Sequence, residues 1–360
     1  MGLWVFMGTQ SFPVNRPHGR GAAFNTEQRF SAIQVSYDPG EEPAKVATQF
    51  FHDHSSAIIS RNNSPDMPFG ASLNPYRGCE HGCAYCYARP THEWLGWSAG
   101  VDFESRILVK NDAPCLLRAE LAKAKYTPES LSLSGVTDCY QPVEKRLEIT
   151  RGCLAVLAEC RHPVTLITKN HLITRDLDYL AELARYQATA AYISITSLDA
   201  DLARKLEPRA SSPQMRLQAV RELSSQGIPV GVSVAPIIPG LNDSEIPAIL
   251  QAARDAGAQF AGYTVVRLPF SVKEVFALWL EEHFPGMKNK VLNRIEETQG
   301  RTLSHPEFGK RLKGVGVWSD QISQVFQLSL KRANLHHRRP PLSLAHFRRP
   351  REIGGQMEFW

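Results

Sequence analysis

Three cysteines within eight residues, Cys79, Cys83 and Cys86, are the part of this chain best suited to do chemistry. They lie in Asn74-Pro75-Tyr76-Arg77-Gly78-Cys79-Glu80-His81-Gly82-Cys83-Ala84-Tyr85-Cys86-Tyr87, a C-x3-C-x2-C spacing with no fourth cysteine at a short regular offset. A ferredoxin cubane takes four thiolates and a structural zinc site two ligand pairs. One compact loop of this kind ligates only three irons, or holds zinc if His81 or His92 completes the set. Gly78 and Gly82 give the backbone freedom to wrap around such a group. Seven cysteines is an odd number, and a disulfide framework does not suit a cytosolic chain of this size, so the cluster points to metal or redox chemistry.

Elements that would position the loop follow it in the sequence. Short β-branched runs at 131–134, 164–168, 190–196, 229–235 and 259–265 predict strands, with one more near 72–76 ahead of the cysteines. Amphipathic patterns at 113–125, 148–160, 176–186, 213–226 and 244–256 predict the helices between them, the last capped by Asp243 or Ser244. Further helices are expected at 272–284 and 288–299. Strand and helix alternating at this spacing mean parallel βαβ units, six of them, closing as part of a barrel or lying open as a doubly wound sheet. In both cases chemistry collects at the carboxyl ends of the strands. No G-x-G-x-x-G follows a strand and no Walker A sequence exists, so the barrel-like sheet is preferred. Residues 1–66 read as an irregular N-terminal extension, 67–300 as the core barrel and 301–360 as a C-terminal extension with a basic tail.

Composition excludes several classes. The 360 residues are 43% hydrophobic and 21% charged, which fits neither a disordered, a collagenous nor a coiled-coil chain. The longest apolar run, Ile228 to Leu241, carries Pro229, Pro236 and Pro239 and is too short to span a bilayer. The opening Met1–Met7 lacks the basic region of a secretory signal, so a cytoplasmic location without membrane association is expected. Residues 331–360 hold seven Lys/Arg against two acids, so the first 330 are balanced at 34 of each and the net charge of +5 belongs to the tail. Arg338-Arg339 and Arg348-Arg349 could steer a nucleic acid toward the barrel mouth; the alternative is a solvated, loosely ordered terminus.

The cysteine loop resembles that of radical S-adenosylmethionine (radical SAM) enzymes, C-x3-C-x-aromatic-C, with Tyr85 at the aromatic position. The resemblance implies a partial (β/α)6 barrel of the α/β class. It also implies a [4Fe–4S] cluster held by Cys79, Cys83 and Cys86, the fourth iron being chelated by the amino and carboxylate groups of S-adenosylmethionine. Reduction of the sulfonium would then release a 5′-deoxyadenosyl radical that takes a hydrogen atom from the substrate, with a flavodoxin- or ferredoxin-like protein as one-electron donor.

Residues after the other strands gain roles by the same resemblance. Many members carry a Gly-Gly-Glu-like segment after the second strand that orients the cofactor's amino group; here it is Ser134-Gly135-Val136-Thr137-Asp138, with Thr137 and Asp138 as acceptors or, for Asp138, a plain cap. Lys169 would pair with the cofactor carboxylate, Ser194 and Thr196 would meet the ribose, and Arg209 is a second anion ligand. Ala235 and Ile238 would line the adenine pocket. Ser233, within Gly231-Val232-Ser233-Val234-Ala235, lies inside a strand and is not a nucleophile elbow.

The strings Thr137-Asp138-Cys139-Tyr140-Gln141-Pro142-Val143-Glu144, Leu206-Glu207-Pro208-Arg209 and Ile238-Pro239-Gly240-Leu241-Asn242-Asp243 are similar to the spore photoproduct lyase-like group. That likeness raises nucleic-acid lesion repair or modification, with Cys139 as hydrogen donor; a buried inert thiol is the alternative for Cys139. Cys153 and Cys160, seven apart, read as core residues on one helix face. A non-catalytic iron–sulfur or zinc protein that contacts nucleic acid through the tail is the reading from another class.

Overall fold

Apolar runs flanked by turns become short strands here because their outward side chains find helices to pack on. The computed structural model describes residues 19–30, 46–67 and 69–350. In chain order the strands are β1 (Gln49–His52), β2 (Ile59–Arg61), β3 (Ala71–Leu73), β4 (Tyr76–Arg77), β5 (Arg106–Val109), β6 (Leu131–Leu133), β7 (Val164–Thr168), β8 (Thr189–Ser194), β9 (Val230–Ile237) and β10 (Phe260–Val265). The large sheet runs β10-β9-β8-β7-β6-β3-β2, parallel except for the antiparallel edge strand β2. Its six parallel strands are joined by helices, which gives the open (β/α)6 barrel expected from the sequence.

The register separates two faces. Val164, Leu166, Ala191, Ile193, Val230, Val232 and Val234 point outward and form the main core with Leu154, Leu157, Leu180, Leu183, Ala219, Val220, Ile249 and Leu250 from the helices. The alternate positions Ser72, Ser132, Thr165, Tyr192, Ser194, Ser233 and Gly262 share the inner face. Small and polar side chains there leave the barrel interior open, and Ile167 on that face is 37% exposed. The inner face is therefore lined by small and polar groups rather than by a packed apolar core.

Three expectations are corrected. The extension before residue 67 is not wholly irregular: β1 joins β5 and β4 in a second, three-stranded sheet, and β2 extends the large one. Every side chain of β1 is exposed, so no alternation marked it. The helix expected from residue 244 begins at Ile246 with Glu245 as its cap, Pro247 setting the first turn. Asp243 instead accepts from Gly240 N–H at 2.9 Å and holds the preceding turn.

The tail up to residue 350 is not loose. After the helix Gly316–Arg332, His336 pairs with Gln259 and Ala261 along β10, each at 2.9 Å, and Val265 N–H is met by Leu312 at 2.9 Å, so the outer edge of β10 is covered. The chain then crosses beneath the barrel. Ser343 N–H bonds Gln187 O at 2.9 Å just before β8, and Arg348 N–H bonds Cys160 O at 2.9 Å ahead of β7. Arg348 Nε bonds Glu159 O at 2.7 Å and Arg349 donates to Ala124 O at 2.6 Å ahead of β6, while the Phe347 ring packs on Tyr126 and His162. These are the amino ends of the strands, opposite the cysteine loop, so these tail arginines do not stand at the barrel mouth.

Candidate active site

All six parallel strands deliver their carboxyl ends to the side on which residues 74–87 lie. After β3 the chain turns into the cysteine loop, and the segment after β6 clamps it. Thr137 Oγ1 donates to Gly78 O at 2.6 Å, and Gln141 reaches both ways, Nε2 to Gly78 O at 3.3 Å and Oε1 from Glu80 N–H at 2.9 Å. Glu80 in turn accepts from Val143 N–H at 2.8 Å. On the other flank, Arg89 is fully buried, donates to Cys83 O at 2.9 Å and pairs with buried Glu104. That carboxylate also receives Gly21 and Ala22 N–H at 2.9 and 2.8 Å, which draws residues 19–22 down onto the loop. The approach is so close that a Cβ on Gly21 would sit 1.5 Å from Gly82 O, and Gly82 itself has φ +67°.

Cys79 and Cys83 are each 7% exposed, and burial pushes both thiols up. Cys86 is half-buried; the charges of Cys83 and Cys86 add to the rise at Cys79, and that of Cys86 to the rise at Cys83. Among the described residues no set of three or more His, Cys, Asp and Glu side chains meets around one point as the cage of a single ion would. An all-sulfur donor set spread around a loop fits the corners of an iron–sulfur cube, whose irons bind and deprotonate thiols.

His81 does not join the sulfur set. Asn170 Oδ1 accepts from Leu172 N–H at 3.0 Å and the Ser211 hydroxyl at 3.1 Å, so its Nδ2 donates to His81 Nε2 at 3.3 Å. That leaves His81 Nδ1–H facing Asp138 Oδ2 at 3.3 Å, a close electrostatic contact rather than an aligned hydrogen bond. His92 is likewise engaged, through Nε2 with Arg106 O at 2.8 Å.

The residues singled out from the sequence divide in two. Asp138 has both oxygens occupied, Oδ1 by Thr168 Oγ1 at 2.7 Å and Tyr140 N–H at 2.9 Å, Oδ2 by Lys169 N–H at 2.9 Å and His81. Burial would raise its pKa, but His81, Thr168 and Lys169 N–H outweigh that and hold it at about 2. Asp138 and Thr137 are thus braces of the loop rather than open acceptors. Ser134, at φ +80°, accepts Cys139 N–H at 2.7 Å, and Gly135 N–H is held by Asn74 Oδ1 at 2.8 Å. Arg209 is taken up by protein partners, Gly19 O at 3.2 Å, Thr48 Oγ1 at 3.3 Å and Glu80 of the cysteine loop at 3.5 Å, and ties the N-terminal segment to that loop. Cys139 is fully buried in the main core, the setting of its reading as an inert thiol. Cys153 and Cys160 are core thiols, as their spacing suggested.

Lys169, in contrast, makes no side-chain hydrogen bond or ion pair with a described residue, and its charge acts on both Cys83 and Glu207. Tyr85 and Ile238 share one apolar cluster with Cys83, Leu206 and Val266. The Tyr85 hydroxyl donates to Glu207, which also receives Thr196 Oγ1 at 2.6 Å and pairs with buried Arg216. Burial raises the Glu207 carboxyl, yet Arg216 and Lys169 bring it below its ordinary value. Thr196 Oγ1 also lies 3.2 Å from Ala235 O, and Arg216 bonds Ser194 O at 3.0 Å, so these positions meet around one buried network.

Sequence reasoning missed the centre of that network. Glu207 stood within a quoted string but only Arg209 was singled out, and Arg216 sits in an amphipathic helix with nothing to mark it. It also missed Tyr87 and Arg267: the Tyr87 hydroxyl donates to Gly135 O at 2.6 Å, and Arg267, after β10, lies 4.7 Å over its ring.

Comparison with known proteins agrees with this arrangement. Residues 73–253 match the Radical SAM superfamily. An uncharacterized protein of Mycobacterium tuberculosis is 34% identical over 239 residues, 65% of this chain and 70% of the relative. Another, of Methanocaldococcus jannaschii, is 30% identical over 173 residues, 48% of this chain and 62% of that one. Among solved structures, a cysteine-to-serine mutant of spore photoproduct lyase superposes with TM-score 0.58 at 18% identity, covering 84% of this chain and 87% of that one. The same enzyme complexed with dinucleoside spore photoproduct gives 0.57 at 16% identity over the same shares. At such identity these structures speak for the fold. The non-catalytic readings therefore give way, and this chain belongs to the radical SAM superfamily as an enzyme whose cofactors are a [4Fe–4S] cluster and S-adenosylmethionine.

Proposed function

We propose that Cys79, Cys83 and Cys86 hold three irons of the cluster and that S-adenosylmethionine lies between the loop and the ends of β7 to β9. The observation that carries this is the pairing of three thiols on one braced loop with a cation, Lys169, whose charge acts on Cys83 and which makes no side-chain hydrogen bond or ion pair with a described residue. When bound, the two groups supply one-electron cleavage of the sulfonium and a 5′-deoxyadenosyl radical. The protein's part is placement. Lys169 pairs with the methionyl carboxylate, Tyr85 and Ile238 give the apolar wall for the adenine, and the Glu207–Arg216 pair fixes the Tyr85 ring and Thr196. Ser194 and Ala235 lie beside the ribose, and the Ser134–Gly135 turn closes the amino-group side, with the mouth open to substrate past Tyr87 and Arg267. A small flavodoxin- or ferredoxin-like donor supplies the electron.

The substrate is a molecule from which a hydrogen atom is taken; the fold likeness to spore photoproduct lyase makes dinucleotides the first to screen. All seven cysteines are free, which suits the reducing cytosol. Among the described residues no helix is long and apolar enough to cross a membrane.

Anaerobic reconstitution with iron and sulfide, reduction with dithionite and detection of 5′-deoxyadenosine test the reading. Wild type yields it and Cys83→Ala does not, whereas a full cluster with no product for any substrate tried overturns it. Lys169→Met weakens S-adenosylmethionine binding about tenfold, the scale of one lost charge-assisted bond, with stability unchanged.

A further inference from the structure

The basic residues of the tail fall into two sets. Arg348 and Arg349 donate to main-chain carbonyls and act as staples. Arg338 makes no hydrogen bond or ion pair with a described residue. With His336, His337, Pro340, Gln259 and Phe260 it lines a cavity of about 750 Å³ at the amino ends of the strands. Arg339 reaches beneath the barrel to Tyr192 on the inner face, and Lys313, whose Nζ stands 3.8 Å over the Tyr263 ring, flanks His337.

No carboxylate of a described residue forms an ion pair with Arg338, Arg339 or Lys313, and none is among the charges acting on Lys313, His337 or Arg339. Burial lowers Lys313, Arg339 and His337, and the charges of Lys313 and Arg338 lower His337 further. The volume is that of a small-ligand site, and cations gathered in a recess focus their field on an anion. Arg338 adds a planar fork matched to phosphate, and the two imidazoles add further donors.

We propose that this basin at the amino ends of the strands, lined by Arg338, His336 and His337 with the charge of Lys313 acting on it from the edge of β10, binds phosphate groups, at the end of the barrel opposite the cysteine loop. The phosphates belong either to a nucleic-acid backbone or to a free oligophosphate. The site is independent of the radical chemistry, so its test does not depend on turnover.

The reconstituted full chain is titrated with tripolyphosphate by calorimetry and with a labelled oligothymidylate of about twelve nucleotides by anisotropy, at several salt concentrations. One or both should bind, tripolyphosphate alone indicating the free source and oligothymidylate alone the backbone. The double variant Lys313→Gln/Arg338→Gln should weaken binding about tenfold or more and lower the oligonucleotide salt slope by about 1.4, two released counterions' worth. Arg338→Lys should keep most of the affinity, and melting temperature and iron content should not change in any variant. Absence of binding by both probes, or a double variant that binds like wild type, overturns the proposal.

Discussion

Two largely irregular stretches lie at the two ends of this barrel, the cysteine loop above and the tail strap below, and they are held in opposite ways. The loop is held by buried side chains: Arg89 and Gln141 meet its main-chain groups, Glu104 pairs with Arg89 and draws in residues 21 and 22, and the loop's own Glu80 takes Val143 N–H. The strap is tied by exposed arginines reaching carbonyls and by one half-buried ring, Phe347. Irregular backbone is rigid where the polar partners are buried, because water cannot replace them, and tolerant where they are exposed.

The sharpest way to break this contrast is Glu104→Ala. It strands buried Arg89 without its carboxylate, at a cost of about 3–5 kcal/mol, and frees residues 19–22 from the loop. Urea unfolding should show the loss, and iron retained after reconstitution should fall with it. Gly21→Ala forces a Cβ toward Gly82 O and should cost about 2 kcal/mol by overpacking, again with loss of iron.

Asp138 sharpens the contrast by pH. Its carboxyl is held at about 2 against an ordinary 3.8, so the stabilisation is complete above 3.8 and is lost as pH falls through 2. Between pH 5 and pH 2 the wild type should lose about 2 kcal/mol through this group, and Asp138→Asn should lack that component of the acid limb. The smallest effect belongs to the strap. Phe347→Ala removes partial packing on Tyr126 and His162 and should cost about 1 kcal/mol, with iron content and S-adenosylmethionine affinity intact. Iron lost from Phe347→Ala, or kept by Glu104→Ala, would erase the distinction.

What was legible in the sequence was local. β7 lies where its β-branched run predicted and the other parallel strands within a few residues, because each needs only outward apolar side chains and a turn. The cysteine spacing identified the loop for the same reason, since ligands to one cluster must be close in the chain. Roles that depend on partners far away were not legible. Asp138 after β6 and Arg209 after the helix Ala200–Leu206 carry the right chemistry, yet His81 and Thr168 occupy the first, and Gly19, Thr48 and Glu80 occupy the second. Glu207 shows the converse, a carboxylate after a helix whose importance lies in Tyr85 and Arg216. The strap was misjudged because charge and proline suggest solvent, while its docking rests on carbonyls that composition does not show.

The cover along β10 bears on self-association. A parallel sheet that stops at its sixth strand would offer a row of open amides and carbonyls to any extended segment, its own copies included. In this chain His336 and Leu312 occupy that row from Gln259 to Val265. A version shortened before residue 312 would therefore do more than shed a basic tail: it would turn a closed edge into a template for aggregation.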